Sequence, residues 1–196
     1  MSAAVLASHR HPTHPADNRG PMTSGLDGDW VVDGAASRVA FSGRVSRFLS
    51  TVAARFPDVS GALTIDVAAG TVDIGVDIAV ATVTSGNPVW DELIDTADPF
   101  AATAHPVARF RGGADGLGVA QSGAGVAAIS GELALRGIVR PLALTARWMP
   151  QRAGLRIVAE GEVDRDDYGL RVDVPGLSRL MPQRMTVTIE MLVVPA

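Results

Sequence analysis

Cysteine and lysine are both missing from this 196-residue chain, and aromatic residues make up only 5% of it. Without cysteine there can be no disulfide, no thiolate nucleophile and no Cys-bound zinc or iron–sulfur centre. Without lysine there is no Schiff-base amine and no phosphate loop of the lysine-dependent kind. All 17 basic residues are arginine against 21 acidic ones, a formal net charge of −4. The basic face that marks a nucleic-acid binder is therefore not expected. No run of 18 apolar residues occurs, which argues against a transmembrane helix. The apolar stretch at Met1–Leu6 is too short for a signal-peptide core, so the expected compartment is the cytoplasm, which the lack of cysteine also suits.

What is present is aliphatic. The chain is 47% hydrophobic, mostly Val, Ile, Leu and Ala, and a β-branched core leans towards strands. Arginine in place of lysine, with much Ala, Val and Gly, looks like GC-rich coding and suggests a bacterial source. The length suits one well-buried core rather than two domains. Residues 1–29 carry three of the four histidines, three prolines and no hydrophobic period, and read as a disordered tail. His9, His11 and His14 in that tail read as solvated side chains rather than a metal site. Residues 30–196 read as the folded domain.

From Trp30 onwards apolar and polar residues alternate with period two, the signature of half-buried strands. Val72, Ile74, Val76, Ile78 and Val80 share one face, while Thr71, Asp73, Gly75 and Asp77 share the other. The same split recurs in 37–43, 61–68, 106–111, 129–135, 142–148, 155–163 and 185–193. Eight such strands must close their apolar faces together, as a sandwich or a barrel. Short turns at Ala68-Ala69-Gly70, Gly137–Arg140 and Gln151–Gly154 favour sequential hairpins, and a meander of hairpins closes into a barrel without free edges. The expected fold is all-β, an eight-stranded antiparallel up-and-down barrel with one or two short helices. Residues 44–60 read as an amphipathic helix from the spacing of Val45, Phe48, Leu49, Val52 and Phe56, with an irregular strand as the rival. Residues 87–94 read as a second helix, with Asn87 as N-cap, Pro88 at its first position, and Asp91 and Glu92 suited to its dipole. Residues 164–183 form a long apolar loop, suggesting a lid or an interface.

A barrel of this size either fills with side chains or leaves room for one small ligand. Inward-facing Gly131 and Gly161 add no bulk, which favours a cavity. The candidate ligand-binding residues are Val39, Phe41, Leu63, Ile65, Val72, Ile74, Val76, Ile78, Phe110, Ile129, Leu133, Leu135, Leu142, Leu144, Trp148, Leu155, Ile157, Val187 and Ile189. All are apolar, so the expected ligand is apolar too. Candidate mouth or lid residues are Phe48, Trp90, Phe100, Tyr168, Leu170 and Leu177.

The ordered motifs point the same way. They are Trp30, Asp33, Ser37, Val39 and Phe41; Arg55-Phe56 and Gly61; Thr84-Ser85-Gly86-Asn87 with Asp91 and Leu93; Asp98-Pro99-Phe100; His105-Pro106 with Phe110; Gly131-Glu132-Leu133 with Gly137 and Arg140-Pro141-Leu142; and Asp164-Arg165 with Tyr168-Gly169-Leu170. Over residues 30–196 the chain resembles the YceI-like family of lipocalin-like, polyisoprenoid-binding proteins. The resemblance implies an elongated eight-stranded barrel enclosing a lipid chain, often as a dimer, which carries or sequesters isoprenoid or other long-chain lipids without chemistry. Ala36 and Trp90 stand where the family often has His and Arg, and Ala54 where it has Gly. These positions lie near the expected barrel ends, so a ligand's tail is better specified than its head.

No catalytic constellation emerges. His105, the sole histidine beyond the tail, precedes a proline and reads as structural. Asp164, Asp166 and Asp167 lack the glycine and distal glutamate of a calcium loop and read as a turn with an Arg165 ion pair. Asp115-Gly116 reads as a hairpin turn rather than a phosphate cradle. The expectation is a non-enzymatic protein without metal or cofactor that binds a long-chain isoprenoid or other lipid. The alternative is a stress-related or interaction scaffold with a packed barrel and a partner-binding loop at 164–183. The apolar loop also predicts a homodimer.

Overall fold

The computed structural model describes residues 25–44, 51–119, 123–171 and 182–196. The alternation becomes a run of antiparallel strands: β1 (Gly28–Arg44), β2 (Thr51–Phe56), β3 (Val59–Asp66) and β4 (Thr71–Ala79). A single α-helix, α1 (Pro88–Ala97), is seen among the described residues before the strands resume. They are β5 (Val107–Asp115), β6 (Gly118–Val119), β7 (Gly125–Leu135), β8 (Ile138–Gln151), β9 (Gly154–Asp164) and β10 (Arg184–Pro195). The strands follow one another around the sheet as antiparallel neighbours, and β10 returns to pair with β1 from Trp30↔Pro195 to Ser42↔Thr186. The sheet is thereby closed.

Ten strands fill eight stations around the circuit. The first half of β1 pairs with β3 (Gly28↔Ile65) and its second half with β2 (Val39↔Phe56), so β2 and β3 share one station. β5 and β6 likewise share one beside β7. The result is the expected closed eight-stranded antiparallel barrel. Its inward faces form one apolar core, from Val39 and Phe41 in β1 to Met185, Val187, Ile189, Met191 and Val193 in β10.

Outside, charges pair across neighbouring strands. Asp77 accepts from Arg109 Nε at 2.9 Å and Nη2 at 2.8 Å, and Arg111 lies 2.9 Å away. Those bonds, led by the one from Arg109, hold the Asp77 carboxyl below its ordinary value against a smaller opposing effect of burial. Glu190 bridges Arg38 at 2.7 Å and Arg156 at 2.9 Å. Exposed pairs of this kind contribute roughly 0–1 kcal/mol each, so they favour register more than stability.

Several expectations are corrected. The helix expected over 44–60 is absent from its described part: Ala53–Phe56 pairs with Val39–Ser42, and Val59 already belongs to β3. The apolar spacing there reflects two strands with a break at Pro57-Asp58, and Val45 to Leu49 lie outside the described residues. The β7–β8 turn is Arg136-Gly137, not Gly137–Arg140. Both its residues have positive φ (55° and 74°), the geometry that lets a two-residue hairpin match strand twist. Asp115-Gly116 does not close a hairpin but interrupts one station between β5 and β6, where the amide of Leu117 donates to Gly70 O at 2.9 Å. Leu170, expected on an exposed loop, is buried, because the Arg165–Tyr168 turn and left-handed Gly169 fold it back onto the barrel. The barrel's contacts also begin before Trp30: Leu26 is buried, and its carbonyl accepts from Trp30 Nε1 at 3.0 Å.

Gly131 and Gly161 do not leave open space. A Cβ at Gly131 would lie 2.6 Å from Phe110 Cζ and 2.7 Å from Gly112 Cα, and one at Gly161 would lie 2.7 Å from Leu144 Cδ2. Neighbouring side chains already occupy the room that the glycines provide. Gly131→Ala meets backbone on one side and a ring on the other, and should cost about 1–3 kcal/mol, as overpacked cores do. Urea denaturation checks this; an unchanged midpoint would refute the tight contact.

Candidate functional site

The barrel has two dissimilar ends. The first carries the start of β1, the 67–70 and 152–153 turns, and the C-terminus; the second carries α1, the Arg136-Gly137 turn and the Arg165–Tyr168 turn. An apolar cleft of about 50 Å³ lies at the first end. One water needs roughly 10–15 Å³ on this measure, so the cleft has room for a few carbon atoms. Leu26, Leu63, Ile65, Val72, Ile74, Leu117, Ile129, Ala146, Trp148, Leu155 and Ile157 line it.

The lining has an unusual exposure. Inward side chains of a closed barrel should be buried, yet Ile65, Ile74, Leu117, Trp148 and Ile157 are only half-buried. Trp148 is fixed by its indole N–H, which donates to Gly123 O at 3.1 Å. Nearby aspartates tie down the backbone of this end. Asp27 accepts from Val67 N at 2.9 Å, Asp29 from Thr64 Oγ1 at 2.7 Å, and Asp66 from Ala69 N at 2.8 Å.

Of the predicted interior residues, the structure brings Leu63, Ile65, Val72, Ile74, Ile129, Trp148, Leu155 and Ile157 together in the cleft. Val39, Phe41, Val76, Ile78, Phe110, Leu133, Leu135, Leu142, Leu144, Val187 and Ile189 are instead buried core. Alternation cannot separate these two sets, since both point inward. It also missed Leu26 and Leu117, which lie outside the strands; their only signal was being apolar beside a turn.

The predicted mouth residues lie elsewhere. Phe100, Tyr168 and Leu170 are buried at the second end, and Trp90 is 41% exposed on α1. Phe48 and Leu177 fall outside the described residues. Phe41, Phe56 and Phe100 pack edge to face, with centroids 5.5 Å and 5.2 Å apart, as the ring quadrupoles favour. Burial, and secondarily Asp167, push the Tyr168 hydroxyl up to about 12, so it stays protonated at neutral pH. These aromatics belong to the packed interior at that end.

With barrel and cleft in place, comparison with known proteins is decisive about kinship. The family described as "YceI-like domain" matches residues 30–193. The chain belongs to the YceI-like family. It is similar to a UPF0312 protein of Azotobacter vinelandii, at 26% identity over 74% of this chain and 78% of that one. Among solved structures it is similar to a polyisoprenoid-binding domain from Saccharophagus degradans implicated in plant cell wall breakdown. That likeness has a TM-score of 0.66 at 19% identity, over 85% of this chain and 98% of the other. It is also similar to Burkholderia cenocepacia BcnA, with a TM-score of 0.67 at 16% identity over 83% and 99%. At these identities the likenesses establish the fold.

Several YceI-like motifs prove to be architectural here. Asp33 and Ser37 build the irregularity in β1: Asp33 Oδ1 accepts from Ala35 N at 3.1 Å, while buried Ser37 donates to Asp33 O at 2.6 Å and accepts from Leu192 N at 3.1 Å. Asn87 caps α1 as expected, with Oδ1 accepting from Val89 N at 3.0 Å. The ring of His105 packs beside Gly137, and Asp164 caps the turn in which Arg165 pairs with Asp166 at 3.2 Å. Asp91 does more than suit the helix dipole, because it joins α1 to the preceding loop. It accepts from Ser85 Oγ and Ser85 N, both at 2.6 Å, and from Thr84 Oγ1 at 2.8 Å.

The Ser85 hydroxyl bond is the largest of the effects that hold the Asp91 carboxyl below its ordinary value of 3.8. A depressed carboxylate stabilises the fold fully above its unfolded value, and that contribution fades as pH falls through the folded value. Asp91→Asn, or acidification below 3.8, should therefore free α1 while the barrel persists. Hydrogen exchange should speed up at Ser85 and in α1 but not in β7–β9; uniform protection in the variant would contradict the tether.

Proposed function

We propose that this protein binds a long-chain isoprenoid or similar lipid, taking its apolar end into the cleft, and carries or sequesters it without chemistry. The observation that carries this reading is the half-burial of Ile65, Ile74, Trp148 and Ile157, apolar side chains facing inward at an open barrel end. Each methylene transferred from water to such a surface yields about 0.8 kcal/mol, so even a short inserted tail contributes useful affinity. The likeness to a polyisoprenoid-binding domain supports this ligand class. The reading places the working domain at residues 30–196, in the cytoplasm, with no cofactor. A packed scaffold is the second reading, favoured by the burial of the inner residues towards the other end, such as Val39, Leu133 and Leu135.

Organic-solvent extraction of purified protein followed by mass spectrometry should release a stoichiometric lipid. Ile74→Asp, which sets a charge in the cleft wall, should lower its occupancy at least about tenfold, since a buried unpaired charge is costly. An empty extract from the unaltered protein, with no uptake on adding a prenyl alcohol, would favour the scaffold.

Val172, Val174, Leu177, Leu180 and Met181 lie outside the described residues, and their apolar character motivates the homodimer. Sedimentation velocity should show a dimer at micromolar concentration; a monomer at high micromolar concentration would remove dimerisation from the reading.

A further inference from the structure

The cleft stops partway down the barrel, and the register shows what it meets. Ile74 in its wall pairs with Gly112, and Gly112 pairs with Gly131, the next inward position along β7 from lining residue Ile129. The two glycines thus continue the wall of the cleft. The tip of the Phe110 ring occupies the hollow they leave: Cζ lies 2.9 Å from where a Cβ of Gly112 would be and 2.6 Å from that of Gly131. Phe110 is 3% exposed, whereas Ile74, one row nearer the opening, is half-buried. Its register partners Val76 and Leu133 are equally buried, so this row lies below the half-exposed part of the wall.

We propose that Phe110 is the floor of the cleft and sets the longest apolar chain it takes. The proposal rests on the lipid-binding reading. The paired glycines seat the ring against the wall, and a chain descending from the open end reaches that ring before it reaches Val76 or Leu133. A chain that outgrows the cleft must displace the ring from its glycine hollow or leave its remaining carbons in water.

The test is calorimetric titration with straight-chain 1-alkanols from hexanol to dodecanol, using protein stripped of any lipid it carries. For the unaltered protein, affinity should rise about fourfold per added carbon and then level off, because further carbons gain no buried surface. Phe110→Ala should move the levelling point to longer alkanols, and Phe110→Leu should move it less. Circular dichroism first establishes which variants fold, and Phe110→Leu alone decides if the alanine variant does not. A levelling point unmoved in the folded variants, or a rise through dodecanol with no levelling in the unaltered protein, overturns the floor and leaves lipid binding intact. Failure of the unaltered protein to bind any alkanol overturns the lipid-binding reading, and the floor with it.

Discussion

The structure depends on the pairing of its first and last strands. An open eight-stranded sheet would expose two edges and one wet apolar face, both of which invite aggregation. The ladder from Trp30↔Pro195 to Ser42↔Thr186 removes both at once. β1 must also serve two partners on its other side, β3 at its start and β2 at its end. A straight, regular strand could not keep register with all of them. The irregularity between Asp33 and Arg38, held by the Asp33 carboxylate and the buried Ser37 hydroxyl, absorbs the mismatch. The Ser37 hydroxyl accepts from the amide of Leu192 where the regular ladder lapses, which satisfies that backbone group.

Closure makes an inside, but it does not make the two ends alike. At the second end three phenylalanines interlock, Tyr168 and Leu170 fold inward, and the loop before α1 is tied to the helix through Asp91. At the first end aliphatic side chains and Trp148 line the cleft, with Trp30 buried nearby. Glycine works against intuition in this barrel. Gly112, Gly131 and Gly161 admit the Phe110 ring and the Leu144 side chain close to the wall, so they serve packing density rather than emptiness.

The fold was largely legible in the chain because its determinants are local. Alternation over short windows specified which residue of each strand faces inward, and Asn87-Pro88 specified where a helix starts. Misreadings arose where a residue's role depends on distant partners. Val52 and Phe56 fit a helical stripe until β2 is seen to pair with β1. Leu170 looks exposed until Gly169 turns the chain, and Arg136 looks like a strand residue until it adopts positive φ beside Gly137.

The site was half legible for the same reason. Side-chain period and composition were enough to make the interior apolar, and the lack of cysteine and lysine excludes thiolate and lysine chemistry outright. They could not say which of the inward residues meet a cleft and which are sealed core. That distinction follows from how strands far apart in sequence are staggered around a closed circuit, setting Ile74 of β4 near Trp148 of β8 and Phe110 over Gly131. Inward direction is a property of a single strand; depth within the barrel belongs to the whole ring of strands, and only the folded chain has it.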